Sequence, residues 1–435
     1  MRKNIFDNFD YFLLLAVIIL IGIGIIFIYS SGINSAGINV SNEYKKQILF
    51  AICGLAIMAF MIFFDYRLIS RNAYTIYGIL LVVLIYTCIF GTKVKGARSW
   101  IGVGDFGVQP SEFGKLIFIM TLAKYLEYST QYADFKRFVT ASLIMFVPVV
   151  LTLLQPDFGT AMVYFPIFFI MCFFAGINKK YLMGIIIAVV LTGLFTILPI
   201  WETEIVHKSF VPLQILHKFQ IRLFVIVVLL MLTVLGFIGF VQFKNKPYFY
   251  TIFYFSFITS FSLILSYLAG RVLKDYQLKR LIVFLDPNTD PLGAGWNIIQ
   301  SKIAIGAGGL FGQGLLKGTQ SHYRFLPEQS TDFIFSILAE EWGLFGCLIV
   351  FALYCVIFVK ILNTIKNTSS AFYSHIAAGI FGMFAFHFFL NIGMVMGIMP
   401  ITGIPLLFLS YGGSSLWTAM ICTGLIIGIN NKKFE

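Results

Sequence analysis

Charge is what this sequence has least of. Only 11% of its 435 residues are Asp, Glu, Lys or Arg, against about a quarter in soluble domains. That shortage excludes a soluble globular fold, because no water-facing surface can be built from what remains. Acidic residues are scarcer than basic ones, 19 against 31. There is no hydrophilic stretch long enough for a soluble domain, no low-complexity tract and no short-period repeat. Metal-ligand spacing is absent as well. The six cysteines (Cys53, Cys88, Cys172, Cys347, Cys355 and Cys422) all lie inside apolar runs and read as small hydrophobes. Histidines contribute little. His375 and His387 share one apolar run and read as satisfied core residues, whereas His207, His217 and His322 fall in connections and read as solvated.

What is present is apolar: 59% of the chain. The apolar residues come in runs of about 18–22, the length that crosses roughly 30 Å of hydrocarbon at 1.5 Å per residue. Runs start at Tyr11, Gln47, Ala73, Pro110, Phe138, Phe158, Leu182, Leu223, Phe249, Phe333, His375 and Leu416. The expected fold is an all-α polytopic integral membrane protein with about twelve transmembrane helices. No small-residue cleavage site closes the first run, so it is expected to be a retained span.

With the N-terminus in the cytoplasm, alternation places Arg2, Lys3, Arg67, Arg71, Lys124, Lys136, Arg137, Lys179, Lys180, Lys244, Lys246, Lys360, Lys366, Lys432 and Lys433 inside. Both termini are then cytoplasmic, as the positive-inside rule asks. Of the outward cations, Arg271, Lys274, Lys279, Arg280, Lys302, Lys317 and Arg324 crowd into one loop, 271–331. Lys93, Lys95 and Arg98 sit in another, 92–109. For a single lysine the simplest role is a solvated face. Together these cations suggest an anion, phosphate or pyrophosphate, at the outer membrane surface. A loop as long as 271–331 is usually functional. Within it, Trp296 to Ile305 has helical apolar spacing that suits a surface or re-entrant helix.

Ionisable groups at membrane depth are functional candidates by default. In Gln109-Pro110-Ser111-Glu112-Phe113-Gly114-Lys115, proline suits a first helical turn and Glu112 and Lys115 share a face. They serve either as a structural ion pair or as substrate-gating groups. Asp157, in Gln155-Pro156-Asp157-Phe158-Gly159-Thr160, is most simply a helix cap. Asp332 is expected in the first turn of a long helix, directly after the basic loop. Capping is its plain role, but Ser330 and Thr331 offer caps already, and a carboxylate beside a cationic loop is well placed as a general base. Glu340 and Glu341, about 12 Å deeper, are expected as buried partners of other spans. The stretch Pro400 to Ser415 is polar and glycine-rich, tolerable at depth only where it lines a cavity or packs on protein. Asn391 is expected in the same lining.

At these residues the sequence resembles the SEDS family (shape, elongation, division and sporulation), and its elongation branch more than its division branch. The likeness runs in order through Gly96-Ala97-Arg98-Ser99-Trp100-Ile101, Gln109 to Lys115, Gln155 to Ala161, and Phe284-Leu285-Asp286-Pro287. It continues through Asn297 to Gly309, Gly318-Thr319-Gln320-Ser321, Phe325 to Gly343, and Ser410-Tyr411-Gly412-Gly413-Ser414. The resemblance implies a single membrane domain over 1–435 in the bacterial cell (inner) membrane, with 271–331 as an extracytoplasmic catalytic loop. It implies a peptidoglycan glycosyltransferase that polymerises lipid II during elongation and shape maintenance, inverts the sugar and expels polyprenyl pyrophosphate. It further implies a class B penicillin-binding protein, a transpeptidase, as partner. Membrane lipid surrounds the chain, and nucleic acid is not among the implied partners.

Carried over by motif, Asp332 matches the family's essential aspartate, Trp100 a sensitive tryptophan, and Glu112 and Lys115 a polar pair. Arg98, Arg280 and Lys302 are the cations expected to face the leaving group. No cofactor is evident, although a divalent cation could share that charge. Three departures stand out. Ser330 replaces the family's usual histidine, Leu407 stands where proline is frequent, and 200–270 adds a two-helix hairpin to a core of about ten spans. The competing reading is a lipid II flippase, which would need polar lining across the bilayer depth. A scaffold that only recruits the transpeptidase would leave the loop's chemistry unused.

Overall fold

The structure is a computed structural model and describes residues 9–431, apart from 95–96, 104–105, 207–209, 211–212, 244–245, 273–279 and 281. Arg2, Lys3, Lys95, His207, Lys244, Lys274, Lys279, Lys432 and Lys433 therefore lie outside the described residues.

Each of the twelve apolar runs is helical. They form α1 (Tyr11–Ser31), α2 (Glu43–Phe63), α3 (Tyr66–Phe90), α4 (Pro110–Tyr128), α5 (Asp134–Leu154), α6 (Phe158–Phe174), α7 (Lys179–Trp201), α8 (Phe219–Gln242) and α9 (Pro247–Val272). A further helix, α10 (Ala294–Gly308), lies within the long loop, followed by α11 (Ile334–Asn367), α12 (Ala371–Val395) and α13 (Gly413–Asn431). Among the described residues ten helices are long and apolar enough to cross a membrane. Of the twelve, α6 is shorter, at 17 residues, and α4 is the polar one, carrying Glu112, Lys115, Lys124 and Glu127. Short polar residues start several of them: Asp10, Asp65, Asp157 and Asn178 each accept a backbone N–H from the first turn.

Segment 92–109 is not plain loop. It folds as a three-stranded antiparallel sheet, β1 (Thr92–Val94), β2 (Ala97–Val103) and β3 (Phe106–Val108), in the order β1-β2-β3. The register sets Lys93 opposite Arg98 and Thr92 opposite Trp100. Like charges facing each other across a ladder are unfavourable unless solvent or an anion screens them.

Two compact units divide the chain, 178–299 and the remainder. The smaller holds α7, α8 and α9. In it Arg222 is buried and donates to the Leu263 carbonyl at 2.9 Å and to Ser266, while Glu202 bonds His217 at 2.7 Å. Its cavity of about 380 Å³ is lined by Asn178, Lys180, Tyr181, Phe240, Pro247 and Tyr250.

In the larger unit, α11 is interrupted at Gly343 (φ 63°, ψ −160°). The break frees backbone groups that the loop after α10 then satisfies. The N–H groups of Gln313 and Gly314 donate to the carbonyls of Glu340 and Glu341 at 3.0 Å each. In return, the N–H groups of Leu344 and Phe345 donate to the carbonyls of Gly309 and Leu310 at 3.0 and 3.2 Å. The loop thus pairs its backbone with that of a broken helix, roughly 9 to 17 Å from that helix's start at 1.5 Å per residue, while the side chains of Leu310 and Phe311 stay exposed. Glycine is required there: a Cβ on Gly308, Gly312 or Gly343 would collide with backbone across the junction.

Candidate functional site

Four motif segments meet at one end of the larger unit. Asp157 caps α6 through the Thr160 N–H at 3.1 Å, as expected, but it also accepts from Gln109 Nε2 at 2.5 Å and from Ser111 Oγ at 3.5 Å. The Gln109 N–H in turn donates to Ser414 Oγ at 3.0 Å. The N-termini of α4, α6 and α13 are therefore joined, and a Cβ on Gly159 would lie 2.8 Å from the Thr402 carbonyl.

Asp332 is half-buried and lies in a turn two residues ahead of α11, not in its first helical turn. Ser330 and Thr331 are not caps either. The residue at the N-cap position is Phe333, with no side-chain bond. Instead their carbonyls anchor the facing segment: Tyr411 N–H donates to Ser330 O at 2.8 Å and Ser410 Oγ to Thr331 O at 2.6 Å. Asn391 Nδ2 donates both to Asp332 O at 3.0 Å and to Ile404 O at 2.8 Å. A Cβ on Gly403 would lie 3.5 Å from Asp332 Oδ2. The backbone of residues 330–332 is thus tied to the 400–412 segment and to Asn391.

That segment has no helix or strand of its own, so side chains must satisfy it. Gln47 donates to Ser410 O at 3.3 Å and accepts from the Gly412 N–H at 3.2 Å. Ser410 Oγ accepts from Leu406 N–H at 2.9 Å, and Tyr354 bonds the Leu407 carbonyl. Pro405 O accepts from His387 Nδ1 at 2.9 Å.

Beneath lies the ionisable pair. Lys115 Nζ is 2.9 Å from both Glu112 oxygens and 3.3 Å from His387 Nε2. Lys115 is 1% exposed, Glu112 5% and His387 1%. A carbonyl can only accept, so His387 Nδ1 carries the proton and Nε2 accepts from the ammonium. His387 is therefore more than a satisfied core residue: it is the third member of this cluster. It is followed one helical turn later by Asn391, and that i, i+4 spacing of polar residues on an apolar helix was the signal available in the sequence.

Glu340 and Glu341 are fully buried, but only one of them serves another span. Glu341 bonds Ser30 of α1 and accepts from the Leu316 N–H at 3.1 Å. Glu340 holds the loop motif, accepting from the N–H groups of Gln320 (2.7 Å) and Ser321 (3.3 Å) and from Thr319 Oγ1 (3.2 Å). His322 is buried rather than solvated, with Nδ1 3.0 Å from the Ile33 carbonyl.

The remaining candidates are spread out. Trp100 is half-buried on β2, its ring 3.0 Å from where a Cβ on Gly107 would lie. Arg98, on the same strand, is exposed, with Nη1 3.4 Å from the Ile89 carbonyl. Lys302 is exposed on α10. The adjacent Ser301 points the other way, its hydroxyl donating to Val395 O at 2.6 Å and lying 2.8 Å from Ser336 Oγ. Arg280 is half-buried in the smaller unit. Among the described residues no group of three His, Cys, Asp or Glu could hold a metal ion. Two further buried polar atoms, Asn391 Oδ1 and Thr402 Oγ1, have no hydrogen-bond partner within the protein, the kind of group that structures retain for a reason.

The FTSW_RODA_SPOVE family, described as cell cycle protein, matches residues 11–225 and 224–434. The peptidoglycan glycosyltransferase RodA of Treponema pallidum is 50% identical over 433 residues, covering 100% of both chains. Stage V sporulation protein E of Bacillus subtilis is 33% identical, covering 97% of this chain and 96% of that one. The peptidoglycan glycosyltransferase MrdB of Escherichia coli is 33% identical, covering 87% and 83%. Among solved structures, a chain from a peptidoglycan synthase complex aligns with a TM-score of 0.68 at 22% identity, over 99% of this chain and 100% of that one. The rod shape determining protein RodA of Thermus thermophilus aligns with a TM-score of 0.61 at 22% identity, over 99% of each chain.

Proposed function

Because the chain belongs to the FTSW_RODA_SPOVE family of cell cycle proteins, we infer from that membership that it is a multi-pass membrane enzyme, a peptidoglycan glycosyltransferase. The reaction we assign is polymerisation of lipid II. The 4-hydroxyl of the acceptor GlcNAc attacks C1 of the donor MurNAc, the bond from C1 to the pyrophosphate oxygen breaks, and the new linkage is β. Asp332 takes the hydroxyl proton as general base. Polyprenyl pyrophosphate leaves with the bonding electrons.

One observation carries this reading: the half-buried Asp332 carboxylate is presented from a turn whose backbone is bonded by Asn391, Ser410 and Tyr411. Bonds to the backbone of that turn fix where the base sits and limit its reorganisation during reaction. The neighbouring N-termini of α4, α6 and α13 and the exposed Arg98 and Lys302 would favour the negative charge that develops on the leaving group. Trp100 offers a ring face to a sugar or to the lipid. We place the enzyme in the bacterial inner membrane with Asp332 at the outer face, a placement supported by the cations of the opposite connections, Arg67, Arg71, Lys124, Lys136, Arg137, Lys179, Lys180, Lys360 and Lys366. The partner that fits the resemblance is a class B penicillin-binding protein. Glu112 and Lys115 satisfy each other and His387, which argues against the open polar lining a flippase requires.

The test is purified protein, with and without its cognate transpeptidase, given labelled lipid II. Glycan strands resolved by length are expected. Transfer of intact lipid II between leaflets, with no strands formed under either condition, would replace the enzyme by the flippase.

A further inference from the structure

We propose that His387 is a positioning residue for polymerisation: seated beside the buried Glu112–Lys115 pair, it donates to the Pro405 carbonyl and thereby fixes the segment against which Asp332 is set. The proposal rests on Asp332 being the general base.

The hydrogen-bond inventory leads there. An ammonium has three N–H donors. Lys115 directs them to Glu112 Oε1, Glu112 Oε2 and His387 Nε2, at 2.9, 2.9 and 3.3 Å. None remains for a substrate phosphate, and the cluster is closed to water. The pair therefore seats the imidazole of His387. The far side of that imidazole donates to Pro405 O at 2.9 Å. One turn along α12, Asn391 donates to the preceding carbonyl, Ile404 O, at 2.8 Å and to Asp332 O at 3.0 Å. Residues four apart on a helix share a face, about 6 Å apart along the axis. Two consecutive carbonyls of a segment without secondary structure are thus pinned by two consecutive turns of one helix, and the second pin also grips Asp332. Gly403, immediately before the pinned carbonyls, has φ 71° and faces the Asp332 carboxylate. A shift at Pro405 would therefore be felt at Asp332. Misplacement of a reacting group by about 1 Å can cost on the order of 100-fold in rate.

Two substitutions separate the ends of the strut. In His387→Asn the side-chain amide lies near the Nδ1 position, so the bond to Pro405 is kept and the one to Lys115 is lost. In His387→Gln the amide reaches the Nε2 position, so Lys115 keeps its acceptor and Pro405 O loses its donor. Thermal stability and lipid II polymerisation would be measured on both purified full-length variants, beside wild type and Asp332→Asn. The expected order is crossed. His387→Gln is at least as stable as His387→Asn, yet its kcat is roughly 10- to 100-fold lower than wild type with KM for lipid II unchanged. His387→Asn keeps kcat within about threefold.

A purely structural histidine would give activity and stability in the same order, and that result overturns the proposal. So does wild-type kcat in His387→Gln, or a raised KM with kcat intact. Wild-type activity in Asp332→Asn would instead overturn the assignment of the base.

Discussion

Glu112→Gln removes the charge partner of an ammonium that is 1% exposed and has no other carboxylate within ion-pair distance among the described residues. Lys115 would retain one amide oxygen and His387 Nε2 as acceptors, with its positive charge uncompensated. Breaking a buried pair at one end costs about 3–5 kcal/mol, whereas replacing both partners by groups of similar volume is often nearly neutral. The double variant Glu112→Gln/Lys115→Met should therefore regain at least about 2 kcal/mol relative to the sum of the two single changes, a coupling well above the few tenths expected of independent sites. Unfolding in one detergent, followed as equilibrium transitions or as inactivation rates where unfolding is irreversible, measures the four corners of that cycle. Single variants within about 1 kcal/mol of wild type, or a double variant that is additive, would refute the reasoning that this pair is sealed and mutually dependent.

Asn391→Leu leaves the Asp332 and Ile404 carbonyls without their donor; each stranded acceptor costs about 1–3 kcal/mol. Polymerisation should fall by at least about tenfold, seen as kcat on labelled lipid II. Gly343→Ala forces a side chain into a backbone that is left-handed and touches Gly312 and Leu310. It should destabilise by more than about 1 kcal/mol, read as a lowered thermal transition of the purified protein. In the smaller unit, the Phe210 N–H lowers the pKa of Glu202, burial opposes that shift, and His217 adds to the lowering. A carboxyl with a depressed folded pKa contributes stability that is complete above its unfolded value, about 4.3, and lost as pH falls through the folded one. The stability difference between wild type and Glu202→Gln should accordingly shrink as pH falls below about 4. A difference independent of pH would remove the carboxylate from that role.

Much of the fold was legible because membrane crossing demands long apolar runs, and twelve of them became helices. Candidate residues were legible where charge interrupts such a run, as at Glu112, Lys115 and Asp157. What escaped was backbone pairing between distant segments. Nothing marks Gly343 among 38 glycines as the place where α11 breaks and pairs with residues 309–314. The strands of 92–108 are too short, and too rich in glycine and charge, to declare themselves beside such strong helical runs. Ser330 and Thr331 were read by their hydroxyls, whereas the structure uses their carbonyls. The Lys115 partner of His387 lies 272 positions away, a separation that no local spacing rule spans, so only the i, i+4 spacing to Asn391 marks the histidine in the sequence.

The most direct test of the account is the rate of lipid II polymerisation by purified Asp332→Asn. The amide keeps the size of the side chain and leaves the Asp332 backbone tethers in place, but it cannot accept the hydroxyl proton. The account predicts a folded protein, with the thermal stability of wild type within a few degrees, that forms no glycan strands at any length. Strand formation at the wild-type rate would contradict it.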